Sequence, residues 1–278
     1  MRETLELRVD FDRADGLFGP DEGTALGIHS TRKVLLSTTD PRLPAIQQRQ
    51  LALRREGKTL YTGWTYHRRY TKGELRDASL LALSVGWSSE VSGDRAGTVY
   101  TTATACPVCG AGVTKLSPLR VHLGKLPRIK DIVRGHTGEF VVSSHFVAAY
   151  SDAGAIGAVF VPVEFRRAPA GKAPAWFEMR SSADPISMLG GTRFAGGALP
   201  DVERDAEYLC PLGDRFGYYR ISEVRLTTAT PPAADVVETR EYLGGTPPHR
   251  EMLISGRLYH ALIGAGIRGL GVEIARLA

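Results

Sequence analysis

The sequence predicts an α+β fold, with an N-terminal region of mixed strands and helix over residues 1–100 and a second domain over residues 101–278. That second domain reads as two diverged β-β-α-β half-repeats, residues 106–165 and 210–277, sharing one core and joined by a zinc knuckle. Two observations lead to this. The runs EFVVSSHFVAAYSDAGAIG from Glu139 and EMLISGRLYHALIGAGIRG from Glu251 align without a gap. Upstream of them, Cys106 precedes Asp131 by 25 positions and Cys210 precedes Asp235 by the same 25.

In the N-terminal region LELRVDFD alternates apolar and polar residues as a half-buried strand does. RKVLLS, LALRR and TLYTGWTYHRRY are further strand candidates. Thr71-Lys72-Gly73-Glu74 has the spacing of a capping box, in which hydroxyl and carboxylate each satisfy an orphan amide, and it predicts a helix over ELRDASLLAL.

In the second domain each half carries an alternating run, LRVHL around Val121 and ISEVRL around Val224, expected as strands. The aligned runs then give a strand, an N-capping serine (Ser143 or Ser255), a short helix, a glycine at its end (Gly154 or Gly266) and a closing strand. The closing strands are AVFVPVEF, Ala158–Phe165, and LGVEIARL, Leu270–Leu277. One half could not bury its helix alone, so the two are expected to share a core. RRAPAGKAPA and LGGTRFAGGALP, rich in Gly, Pro and Ala, are expected as surface loops.

A hydrophobic fraction of 43% with a mean hydropathy of −0.12 describes a chain able to build a core, and excludes a wholly disordered polar segment. No apolar stretch approaches the roughly 20 residues needed to cross a bilayer, and MRETLELRVD has charges where a secretion signal is apolar. The expected location is cytoplasmic, with no membrane partner. Net charge is +5, spread along the chain and carried by 28 arginines against seven lysines. That leaves nucleic acid as a possible partner.

Three cysteines, two of them in C-x-x-C, suit a metal or redox site better than a disulfide framework. Cys106 and Cys109 form half of a zinc site and Cys210 in LCPLGD supplies a third sulfur. Aligning the halves sets Gly213 against Cys109, and Asp214 directly after it offers a carboxylate oxygen, an accepted zinc ligand. The candidate metal ligands are therefore Cys106, Cys109, Cys210 and Asp214, with His136 as a spare. Four filled positions make a closed, structural site. Plain buried thiols, or a redox C-x-x-C, are the other readings.

No catalytic constellation stands out. Gly264, Gly266 and Gly269 match G-x-G-x-x-G but follow a helix, whereas a dinucleotide site needs the glycines before one, where amides meet the pyrophosphate. WTYHRRY mixes aromatic and cationic residues as a single-strand nucleic-acid surface does. It equally fits a strand with Trp64, Tyr66 and Arg68 on one face and Thr65, His67 and Arg69 on the other. The histidines lack metal-ligand spacing, and His260 falls on the second helix. Asp131 and Asp235 are the carboxylates an enzyme would use, and turn formation accounts for both.

CPVCG at Cys106, CPLGD at Cys210 and the closing LISGRLYHALIGAGIRGLGVEIARL together resemble the double-CxxCG immunity proteins encoded beside bacterial polymorphic toxins. The likeness spans residues 106–277; the second knuckle lacks its second cysteine, and residues 1–100 have no counterpart. It implies a non-catalytic protein that binds and neutralises a cognate toxin and carries a structural zinc. A basic, zinc-ribbon-like nucleic-acid binder and a structural subunit of a larger assembly are the alternatives.

Overall fold

A computed structural model describes residues 1–27, 30–88, 91, 93–126, 129–135, 137–166, 175–196, 210–245 and 247–278. The architecture is mixed α+β, with many short strands and few helices. The chain divides into two compact units, one of Met1–Glu74 with Ala195–Glu203, the other of Leu75–Phe194 with Arg204–Ala278.

The first unit is a four-stranded antiparallel sheet with the order Thr24–Ala25, Thr31–Ser37, Arg2–Asp10, Tyr61–Arg69 and one long helix, Leu43–Arg55. Leu5, Leu7 and Val9 alternate inward along the first strand and meet Val34, Leu36, Ile46 and Leu53 in a closed cluster. LALRR, expected as a strand, is the last part of that helix. Pro44 opens it, and its Leu, Ala, Gln and Arg residues are strong helix formers, so propensity over 13 residues outweighs a local alternation of five. The Thr71 box is formed: the Thr71 amide donates to Glu74 Oε2 at 2.7 Å and the Glu74 amide to Thr71 Oγ1 at 3.2 Å. The helix it opens stops at Asp77. Leu80–Leu83, expected as its continuation, is instead a strand buried at every position, a pattern set by covering on both faces.

This strand moves the boundary. Residues 75–100, assigned from sequence to the N-terminal region, belong to the second unit, because Leu80–Leu83 pairs there on both sides. The second unit contains two sheets built alike. In one, the order is Ala158–Pro162, Trp176–Ser181, Phe140–Ser143, Ile132–Gly135, Trp87–Ser88. In the other it is Val272–Ile274, Leu80–Leu83, Met252–Ser255, Val236–Glu238.

The Trp176 strand thus takes the same inner place in one sheet as the Leu80 strand takes in the other. Their flanking hydrogen bonds agree. The Ser144 amide donates to Ala175 O at 3.1 Å and the Gly256 amide to Ser79 O at 3.0 Å; Val163 donates to Trp176 O and Ala275 to Leu80 O, each at 3.0 Å. Helices Ser144–Asp152 and Gly256–Gly264 are capped by Ser143 and Ser255, whose hydroxyls accept from the amides of Phe146 and Leu258. Glu164–Phe165 runs parallel to Arg120–Val121, and Arg276–Leu277 parallel to Arg225–Leu226.

Two aspartates tie these parts reciprocally. The Asp131 amide donates to Arg268 O at 2.8 Å while the Arg268 amide donates to Asp131 Oδ2 at 2.9 Å. The Asp235 amide donates to Ile156 O at 2.8 Å while the Ile156 amide donates to Asp235 Oδ2 at 3.0 Å. Each carboxylate therefore fixes the segment that follows the other helix. A buried ionic group lies against the second of these sheets: Arg220 contacts Glu251 at 3.2 Å and Glu273 at 2.8 Å, all three side chains being at most 11% exposed. Among the described residues no helix is long and apolar enough to cross a membrane.

The loop RRAPAGKAPA lies almost wholly outside the described residues, and so does the end of LGGTRFAGGALP.

Candidate metal centre

The first cysteine turn is the tip of a hairpin, Tyr100–Thr101 paired with Thr114–Lys115. The Cys106 amide donates to Ala111 O at 2.7 Å and the Gly110 amide to Cys106 O at 2.8 Å. This reversal needs a left-handed backbone at Gly110, φ 74°, a conformation that costs glycine nothing and other L-residues about 1 kcal/mol. The amides of Cys109 and then Val108 donate to the Cys106 sulfur, and with the neighbouring Cys210 they draw its pKa down to about 7. Burial dominates at Cys109 and pushes its thiol up to about 12.

The second turn has the same closure with one residue fewer. The Cys210 amide donates to Asp214 O at 3.1 Å and the Gly213 amide to Cys210 O at 2.8 Å, with Gly213 at φ 89°. Gly213 therefore does what Gly110 does, and Asp214 what Ala111 does. The sequence comparison set Gly213 against Cys109; the backbone shows that the cysteine position itself is missing from the second turn. Equal spacing to Asp131 and Asp235 conceals this, since one residue is regained downstream.

The turns bring the sulfurs of Cys106, Cys109 and Cys210 within 4.8 Å of one another, an arrangement that could hold a metal ion. Cys106 Sγ lies 3.3 Å from Cys210 Sγ, and the Cys109 thiol donates to Asp214 Oδ2 at 3.3 Å. Tetrahedral zinc with bonds of about 2.3 Å to sulfur separates two sulfurs by about 3.8 Å, so the Cys106–Cys210 pair needs to open by only about 0.5 Å. Cys109 and Cys210 are 4% and 3% exposed and Asp214 6%, while Cys106 is half-buried. Asp214 Oδ1 accepts the Tyr242 amide at 3.0 Å, which leaves Oδ2 facing Cys109. Ala111, Phe216 and Tyr242 enclose the group, and the Arg250 guanidinium lies 4.6 Å above the Tyr242 ring.

Sequence spacing pointed to the three thiols, which the fold brings together; Asp214 stands beside Cys109 but outside the group of three sulfurs that lie within 4.8 Å of one another, and the cover was missed. Tyr242, Phe216 and Arg250 carry no motif and reach the site only through the fold. His136 lies outside the described residues. Thiolates favour zinc, copper(I) or iron–sulfur chemistry over hard cations, and the proton shared by Cys109 and Asp214 is one that a divalent metal would displace.

The other sequence candidates have structural partners. Asp131 accepts from Ser143 Oγ at 2.9 Å and from Arg268; Asp235 accepts from Ser255 Oγ at 2.6 Å and from Ile156. Burial pushes both carboxyls up, but these donors outweigh it and hold both below the usual carboxylate range. They act as braces. On the WTYHRRY strand Trp64 and Tyr66 pack against the first unit's core, leaving Thr65, His67 and Arg69 outward.

Beside the cysteine turn a cleft of about 500 Å³ is bordered by Lys115, Glu139, Glu178, Arg180, Glu238 and Arg250. Its charges are largely internally matched: Lys115 lies 2.7 Å from Glu178 and 3.6 Å from Glu139, and Arg180 is 2.5 Å from Glu178. No sequence signal marks it, since its residues come from five separate segments. Comparison of the chain with protein-family models and with curated proteins finds no match.

Proposed function

We propose that this chain is a non-catalytic binding protein of the immunity type, built on an internally duplicated scaffold and clipped by a structural zinc. The observation that carries it is the thiol cluster, assembled from two turns 104 residues apart and backed by Asp214. Four protein ligands leave no open position for water, so such a metal stabilises and does not react. Cys106, Cys109, Cys210 and Asp214 would hold it.

Duplication is supported by the matched hydrogen bonds at Ser144 and Gly256, at Val163 and Ala275, and by the reciprocal aspartates. The duplicated unit is then longer than sequence alone suggests. It begins with the Leu80 strand in one copy and the Trp176 strand in the other, and the copies exchange these strands. The toxin-neutralising role follows from the family resemblance of the two knuckles and the last helix.

Elemental analysis of protein purified without chelator tests the metal: one zinc per chain, lost in Cys210→Ser, is expected, and no zinc would remove the clip. Co-expression with the product of the adjacent gene tests the role. A stoichiometric complex that relieves toxicity is expected; a harmless neighbour that does not bind would overturn it. A nucleic-acid role gains no support from WTYHRRY, whose aromatic half is used in packing.

A further inference from the structure

The three thiols are not equivalent, and their placement selects one pair. Cys106 and Cys210 Sγ stand 3.3 Å apart with their side chains directed at each other. Cys109 Sγ is directed instead at Asp214 Oδ2, at 3.3 Å. A disulfide bond is about 2.05 Å long, so roughly 1 Å of approach between Cys106 and Cys210 closes one. Access is also unequal. Taken as whole residues, Cys106 is half-buried and Cys109 and Cys210 are 4% and 3% exposed, while all three are buried as ligands, so Cys106 stands on the side of the cluster nearest solvent.

We infer that Cys106 and Cys210 form an oxidation site, at which a peroxide converts the thiol cluster into a Cys106–Cys210 disulfide that excludes metal. In the first step the Cys106 sulfur attacks one peroxide oxygen. The O–O bond breaks, hydroxide leaves and takes up a proton as water, and Cys106 becomes a sulfenic acid. In the second step Cys210 Sγ attacks the sulfenyl sulfur, the S–S bond forms, the S–O bond breaks, and hydroxide leaves with the Cys210 proton as a second water. Two sulfurs have lost two electrons together and one peroxide has been reduced to two waters. Cys109 stays reduced against Asp214, and the site is left with one thiol and one carboxylate, too few ligands to hold a soft metal. A dithiol reductant restores the cluster by exchange.

This inference rests on where the thiols lie and is independent of which metal they hold. It differs from a redox C-x-x-C, in which Cys106 would pair with Cys109 inside one turn. The crosslink instead joins the two turns that the metal would join, so oxidation swaps one clip for another.

Trypsin separates the two outcomes. Cys106 and Cys109 lie together on the peptide Ala96–Lys115, and Cys210 on Asp205–Arg215. The full chain, as purified and after chelator treatment, is exposed to one equivalent of hydrogen peroxide, alkylated and digested without reduction. The expected product is Ala96–Lys115 crosslinked to Asp205–Arg215, with free thiols falling from three to one and with any bound zinc released in step. The crosslink should persist in Cys109→Ser and vanish in Cys106→Ser. A bridge within Ala96–Lys115, a crosslink between chains, or over-oxidised Cys106 beside a free Cys210 would each overturn the inference. Zinc measured beforehand keeps the two readings apart: disulfide formation in a protein that never held zinc removes the zinc clip and leaves this site standing.

Discussion

Replacing Asp235 with asparagine tests whether the buried aspartates brace the second unit. The Asp235 side chain is 5% exposed and accepts from Ser255 Oγ at 2.6 Å and the Ile156 amide at 3.0 Å, besides its contact with Arg257. Ser255 is committed as well, since its Oγ accepts the Leu258 amide at 3.0 Å to cap the helix. An asparagine oxygen can keep one of the two short bonds. Its NH₂ then faces the other donor, and a hydrogen bond to a charged group, about 1.5–3 kcal/mol, is lost. The Arg257 side chain is 57% exposed, so its ion pair adds less than about 1 kcal/mol. The expected loss is about 2–4 kcal/mol.

Urea unfolding measures it in a Trp64→Phe background, where Trp87 and Trp176 report the second unit; the midpoint should fall with an unchanged slope. The loss should depend on pH. Asp235 is held below its ordinary value by Ser255, Ile156 and Arg257 despite its burial. Its ionised form therefore favours the folded state, and the contribution is complete above about pH 5 and disappears as pH falls through the folded pKa. Wild type and variant should converge well below pH 4. A loss under about 1 kcal/mol at neutral pH, a gap that persists in acid, or strict additivity with Ser255→Ala would refute the bracing argument.

Four further outcomes follow from the same contacts. Gly157, at φ 97° with Val236 O 2.5 Å from where a Cβ would sit, should lose about 3 kcal/mol or more in Gly157→Ala, while Gly154, at φ 56° with open space around it, should lose only about 1 kcal/mol in Gly154→Ala; thermal melts of the pair decide this. Arg220→Met strands Glu251 and Glu273 without their guanidinium and should cost about 3–5 kcal/mol, most of it recovered when both glutamates are also changed to glutamine. Asp131→Asn should lower the urea midpoint in the same sense as Asp235→Asn, and unchanged stability would confine bracing to one side. In competition with a chromophoric chelator, Asp214→Asn should hold zinc at least about 10-fold more weakly, and a change under 2-fold would remove Asp214 from the ligand set.

What could be read from the sequence was what short range determines. Ser143 and Ser255 announce helix starts because a cap acts on amides three residues ahead, and Cys106, Cys109 and Cys210 announce a cluster because thiol spacing in a turn is local. LALRR misled because five residues alternate inside a helix of 13, and Leu80–Leu83 because a fully buried strand loses the period of two that distinguishes it from a helix. The inner places of the Leu80 and Trp176 strands left no local trace at all. A strand's neighbours are chosen by register and burial across the whole unit, and Leu80 pairs with Ser255, 175 positions away. The missing residue in the second turn was hidden in another way, by a compensating change that preserved the spacing used to find it.

These long-range ties bear on the thiol cluster. Small zinc domains unfold without metal because the metal supplies most of their folding free energy. Here the two sheets are already tied by amide–carboxylate bonds at Asp131 and Asp235, and their inner strands, Trp176–Ser181 and Leu80–Leu83, are each paired on both sides. A clip between Cys106 and Cys210 would add to ties that do not pass through the cysteines. Under the two proposals, loss of a metal or formation of a Cys106–Cys210 disulfide would leave these ties in place, so the thiol cluster would change its state while the sheets keep the turns where they are.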